Sequence, residues 1–362
     1  MLDYKNLEKY LSSIYKSKVK LKKVSLLVEE EDRIEKKGVK AFGYGKPYLI
    51  EFKLGEERKA VVLETMKSDS FGHEFPYDRA QTLLFAYSTY NKLFKHVNSI
   101  DVGVFMRNGE LNSLGNYEEF FILMEKIEGT PYYKDLEKIA KEESLTQLDE
   151  LKAEALSNYL VEIHSLKFDA PNLYRRRLRE LFGHGECIMG LIDNYPKEFI
   201  NKKNFYLIAE KCFKRIWRIR DKTYRLCQVH GDFHPWNILF RKGIDFTVLD
   251  RSRGEWGEAA DDLAAMSVNY LFFSLQTFGA LEEGFEKLYL KFMENYLNKT
   301  GDEEVLEVIQ PFYAWRALVL ANPIWYPNLD LSVREKLFNF IHNILETEKF
   351  NIKDVNSYLN PV

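Results

Sequence analysis

The chain has 362 residues, 46% of them hydrophobic and 30% charged, with a net charge of −3. That length exceeds one average domain and suits two lobes around a cleft, and the near-neutral charge argues against a chain built to bind nucleic acid or a membrane surface. Its three cysteines, Cys187, Cys212 and Cys227, are far apart and form no CxxC pair, which argues against a disulfide framework and for a reducing, cytoplasmic setting.

Residues 1–23 mix charges throughout, with no apolar core or small-residue cleavage site, so no signal peptide is expected. Tyr4, Leu7, Tyr10, Leu11 and Ile14 fall on one face of a helix over residues 3–16. Short β-branched or aromatic runs follow at 24–29, 39–42, 48–53 and 59–66, separated by turn signals, and predict a small antiparallel sheet. A helix opens near Phe75-Pro76, with Ala80, Leu83, Leu84, Tyr87, Tyr90 and Leu93 on one face. Residues 101–107 and 118–126 read as two more strands, the first broken at Asn108-Gly109.

From Tyr133 the pattern turns helical. Leu151, Leu156, Tyr159, Leu160, Ile163 and Leu166 line one face, and His164 on that face reads as a core histidine. Arg175, Arg176, Arg177 and Arg179 read either as a solvated helix face or as a site for an anionic substrate. A further helix occupies 200–226, and four more occupy about 261–276, 281–298, 302–321 and 331–348. Their many aromatics are mostly core. The most apolar run, 266–281, carries Asn269, Ser274 and Gln276 and is too short and too polar to span a membrane.

Between these helical stretches lies VHGDFHPWNILFRKGIDFTVLDRSRGEWGEAADD, residues 229–262. Gly231 and Pro235 predict an irregular loop, followed by two short strands joined at Lys242-Gly243. The expected turn midpoint, between Gly243 and Ile244, puts Asn237 and Asp250 opposite each other at the open end, roughly 5 Å apart. An amide oxygen and a carboxylate are hard donors suited to Mg²⁺, which takes its other ligands from water and substrate phosphates. Asp232 on the preceding loop is then placed to accept a hydroxyl proton. Asp and Asn at hairpin ends are also common without any ligand. His230 and His234 are four apart, but no third soft ligand lies near to suggest zinc.

His230-x-Asp232-x-x-x-x-Asn237, a hairpin and then Asp250 resemble the catalytic loop and metal-binding Asp of the protein-kinase-like fold. The wording HGDFHPWNIL, then LDR and DDLA, resembles the aminoglycoside phosphotransferase and choline kinase branch. The resemblance implies a two-lobed α+β fold, with a β-rich lobe over 1–124, a hinge over 125–132 and a mainly helical lobe over 133–362. It implies ATP and Mg²⁺ as cofactors and a small-molecule hydroxyl acceptor. It makes Asp232 the catalytic base, with His234 near the transferred phosphate, Asn237 and Asp250 the metal ligands, and Asp262 a buried brace for the loop. Gly43 and Gly45 fall where the family covers the phosphates, although only Gly-x-Gly is present. The family's strand lysine has no counterpart within 60–66; Lys67 is the nearest candidate, with Lys53 and Lys59 as alternatives. Asp78, or else Glu74, would be its acidic partner. Met124 would lie behind the adenine, with backbone groups of Glu125 and Ile127 bonding its rim. Glu255, Glu258 and Asp261 would favour a cationic acceptor, and the arginine run an anionic one. The missing strand lysine leaves a second reading, a catalytically inactive nucleotide-binding module.

Overall fold

The computed structural model describes residues 3–26, 45–142, 144–199, 201–251, 253 and 255–361. The chain divides into two compact units, Met1–Met124 and Glu125–Val362.

The first unit opens with α1 (Tyr4–Tyr15), whose amino end is capped by Asp3 accepting from the Asn6 amide at 2.8 Å, a contact worth about 1 kcal/mol. Strands β1 (Val19–Leu26), β2 (Gly45–Leu54) and β3 (Glu57–Met66) form an antiparallel sheet in the order β1-β2-β3. Leu7 and Leu11 of α1 bury against Val19, Leu21, Ile50 and Phe52, so one face of the sheet makes the core of this unit. The sheet is the predicted one, with β1 starting earlier than the sequence pattern suggested; the predicted run 39–42 lies outside the described residues. Helix α2 (Pro76–Tyr90) follows, then the hairpin β4 (Gly103–Phe105) and β5 (Leu111–Ser113), which turns at Gly109 with a φ of +83°.

The predicted strand over 118–126 is not formed. Residues 118–129 have no helix or strand, and Phe121 and Leu123 are almost fully exposed. High β propensity in Phe120–Met124 supplies no partner, and a strand exists only through the ladder it shares. The pairing in this region goes instead to β4 with β5 and to β6 (Thr130–Pro131) with the hairpin of the catalytic-type loop.

The second unit is mainly helical: α3 (Tyr132–Glu142), α4 (Gln147–His164), α5 (Pro171–Gly183), α6 (Ile188–Asp193) and α7 (Lys202–Ile219) precede β7 (Cys227–Gln228), β8 (Ile238–Phe240), β9 (Phe246–Val248) and β10 (Trp256–Gly257). Helices α8 (Ala259–Thr277), α9 (Glu283–Thr300), α10 (Val305–Val308), α11 (Gln310–Ala321) and α12 (Leu331–Glu346) complete it. The predicted helix at 302–321 is two helices, because Pro311 suits the first turn of a new helix and not the interior of an old one. Almost every residue of α8 from Ala259 to Leu275 is buried, and this helix is the axis of the unit. The three cysteines are free and buried. No helix among the described residues is long and apolar enough to cross a membrane.

Candidate active site

The carboxylate of Asp262, fully buried in the first turn of α8, accepts the backbone amides of His230 and Gly231, each at 2.7 Å. Burial would raise its pKa, but the His164 ring nitrogen at 3.1 Å, and then the His230 ring and amide, hold it below the usual carboxylate range. His164 is in turn hydrogen bonded to the Tyr296 hydroxyl at 2.9 Å. These bonds fix the loop at its turn, where Gly231 has a φ of +85° that a side chain would disfavour.

The loop then presents Asp232, 8% exposed. Its two oxygens face different company. Oδ1 receives Arg316 Nη1 at 2.5 Å, with Arg253 Nη2 at 3.7 Å. Oδ2 lies 3.4 Å from both Asn237 Nδ2 and His234 Nε2. Burial opposes the charge on Asp232, but the His234 contact and then the Arg316 charge outweigh it and keep the carboxyl far below its ordinary range. Asn237 also donates from Nδ2 to the Asp232 carbonyl at 3.1 Å. Asp232, His234 and Asn237 thus form one cluster.

Asp250 is placed differently from the expectation. The register pairs Ile238 with Val248 and Phe240 with Phe246, and the Leu249 amide donates to the Asn237 carbonyl at 2.8 Å. Asn237 therefore lies opposite Leu249, and Asp250 is one residue beyond. Arg241 and Asp245 close an odd-numbered loop, Lys242-Gly243-Ile244, with Gly243 at a φ of +65°, so the centre falls on Gly243 and not after it. Asp250 itself has a φ of +53°, a left-handed conformation that costs most side chains energy and that Asp tolerates better than most. Its exposed carboxylate makes no hydrogen bond or ion pair among the described residues.

The donor set fits a hard cation. Asn237, with its amide nitrogen turned to Asp232, leaves its oxygen free, and the Asp250 carboxylate is unengaged. Among the described residues no group of three or more His, Cys, Asp or Glu side chains is gathered as a metal cluster.

The charged residues expected near the acceptor are engaged within the protein. Glu258 is buried and binds Arg225 and the Tyr174 hydroxyl, and Asp261 binds Arg316 at 2.6 Å. In the arginine run, Arg175 pairs with Asp221, and Arg176 and Arg177 both pair with Glu180. Neither set therefore speaks for the charge of a ligand; only Glu255 and Arg179 stay exposed.

In the first unit, Gly45 is the first residue of β2, opposite Met66, while Gly43 lies outside the described residues. Lys67 directly follows β3 and is partly exposed. Asp78 accepts the Phe75 amide at 2.9 Å in the first turn of α2. Met124 and Glu125 are exposed, Ile127 is partly buried, and none of the three is in a strand.

Sequence reasoning missed Arg316 and Arg253. Arg316 was detectable: it is the sole charged residue in QPFYAWRALVLA, and a charge on an otherwise buried helix needs a partner.

The profile of one family, described as the phosphotransferase enzyme family, matches residues 102–297. No curated protein matches the chain. Among solved structures, an amicoumacin kinase bound to AMP-PNP, Ca²⁺ and amicoumacin is 15% identical, with 92% of this chain and 91% of that one covered and a TM-score of 0.40. A choline kinase from Streptococcus pneumoniae is 14% identical, with 94% and 98% covered and a TM-score of 0.34. A glucosamine kinase bound to glucosamine, ADP and phosphate is 15% identical over 59% of this chain, which spans only 60% of that protein, with a TM-score of 0.41.

Proposed function

Since the chain belongs to the phosphotransferase enzyme family, matched over more than half its length, we propose that it transfers the γ-phosphoryl group of ATP to a hydroxyl of a small molecule. The observation that carries this reading is the cluster of Asp232, His234 and Asn237 on a loop tied to Asp262, with an unengaged Asp250 just past the partner of Asn237.

In this reading Asp232 Oδ2 receives the acceptor hydroxyl. That oxygen has only long contacts, and such contacts tighten when a substrate arrives. The hydroxyl oxygen bonds to the γ-phosphorus as the bond from phosphorus to the bridging oxygen breaks, leaving ADP, and the hydroxyl proton passes to Oδ2. A base so strongly acidified serves mainly to orient the hydroxyl and takes the proton late, which suits a loose transition state. His234 Nε2, 3.4 Å from Oδ2, would donate to a phosphoryl oxygen, as the resemblance implies. Asn237 and Asp250 would hold Mg²⁺, which when bound neutralises phosphate charge. Gly43, Gly45, Lys67 and Asp78 are proposed as nucleotide contacts in the first unit, and Met124, Glu125 and Ile127 as adenine contacts, on the strength of the resemblance.

A thermal-shift titration tests the binding half. Nucleotide at about a hundred times Kd stabilises the folded chain by about 2.7 kcal/mol. The expected result is a shift with ATP that requires Mg²⁺ and shrinks in Lys67→Ala and Asp78→Ala; a shift indifferent to Mg²⁺ and to base identity overturns the assignment. An inert nucleotide-binding module would give the shift but no labelled product from γ-labelled ATP with any hydroxylated amine, amino acid or sugar.

A further inference from the structure

We propose that Arg316 on α11 is the positioning residue of the candidate catalytic loop, clamping Asp232 in the one rotamer that turns Oδ2 toward an acceptor. The inference rests on the reading of Asp232 above. One guanidinium makes three contacts at once: Nη1 to Asp232 Oδ1 at 2.5 Å, Nη2 to the Gly231 carbonyl at 2.9 Å and Nη2 to Asp261 Oδ1 at 2.6 Å. It therefore grips both the side chain of Asp232 and the backbone just before it, and it is itself held from behind by the first turn of α8. A planar fork of donors can do this, where a lysine's single ammonium cannot.

The surroundings remove the clamp's other freedoms. Arg316 is 6% exposed, and its guanidinium lies 3.8 Å from the centre of the Trp315 ring. Trp315 is pinned by donating from Nε1 to the Glu186 carbonyl at 3.0 Å, and the Arg253 guanidinium lies 4.6 Å from the same ring. Arg253 approaches Asp232 on the same oxygen, Oδ1, as Arg316 does. Both cations thus occupy one oxygen and leave the other to the Asn237 and His234 side. Moving the carboxylate to another χ1 rotamer would exchange a short charge-assisted bond for none, so Asp232 is held before substrate binds.

Asp262 holds the backbone amides of the same loop, so two successive acids at the start of α8 divide the work. Asp262 sets where the loop runs, and Asp261, through Arg316, sets which way its acid points.

Two variants test this: Arg316→Lys keeps the cation and loses the fork, and Asp261→Asn keeps the shape and removes the charge of the brace. Crystal structures of both are expected to show Asp232 divided between rotamers; a single unchanged rotamer in both overturns the proposal. Turnover of Mg-ATP with the best acceptor among hydroxylated amines, amino acids and sugars is expected to fall about tenfold to a hundredfold in kcat for each variant, with KM for ATP changed less than about twofold. Equal kcat in Arg316→Lys and wild type also overturns it, since a purely structural bridge predicts lost stability with unaltered kcat in the folded fraction. If rotamers divide but Asp232→Asn turns over like wild type, the clamp stands and the phosphotransfer reading fails.

Discussion

Replacing Asp262 by Asn exchanges an acceptor of two backbone amides for a group that can accept only one of them and turns an N–H toward the other. With His164 also losing its carboxylate hydrogen-bond partner at 3.1 Å, the expected loss is about 3 kcal/mol, read by urea unfolding; a loss below about 1 kcal/mol contradicts the bracing role. Asp250 behaves oppositely. Asparagine tolerates the left-handed backbone, so Asp250→Asn is expected to leave stability within about 0.5 kcal/mol while abolishing the Mg²⁺ requirement of nucleotide binding. Asp250→Val, unable to relax at a φ of +53°, is expected to cost about 1–2 kcal/mol. At this scale the sequence disclosed the residues with a local signature. Asp232, His234 and Asn237 stand within one short loop, and Asp262 opens a helix. Arg316 lies 84 positions from Asp232, and no spacing rule joins residues so far apart.

Among elements, the sequence conveyed periodicity well and partnership poorly. Helix α8 and strands β2 and β3 follow from their own patterns, yet the run 118–126 reads as a strand and finds no ladder. The hairpin was legible, but its register moved by one because the loop Lys242-Gly243-Ile244 is odd-numbered, a choice the turn residues alone left open. Some charges were equally opaque: Glu258, Asp261 and Arg175 are spent on distant partners, Arg225, Arg316 and Asp221, whereas Arg176 and Arg177 pair with Glu180 on their own helix. One such tie between elements predicts an acid response. Glu304, just before α10, accepts from Lys222, the Tyr224 hydroxyl and Arg225. Burial opposes its charge, but these donors bring its carboxyl down from 4.5 to about 2. The unfolded chain then binds the proton more readily than the folded one, so the stabilisation is complete above the ordinary carboxylate value and is lost as the pH falls toward 2. Unfolding free energy measured between about pH 5 and pH 3 is expected to fall less steeply in Glu304→Gln than in wild type; parallel curves would exclude the contribution.

For the whole molecule, the α+β class with a small antiparallel amino-terminal sheet and a larger helical remainder is what the pattern of elements predicted, and the two units divide at Met124. The acceptor is a different matter, because fold and family leave substrate choice to side chains that vary freely between relatives. Phosphoryl transfer by this chain therefore stands on chemistry at one carboxylate. Its most direct test is transfer of labelled γ-phosphate from Mg-ATP to hydroxylated small molecules, comparing wild type with Asp232→Asn at equal folded concentration. It predicts Mg²⁺-dependent product on at least one acceptor, reduced about a hundredfold or more by the substitution. Product formed equally fast by both proteins would contradict it.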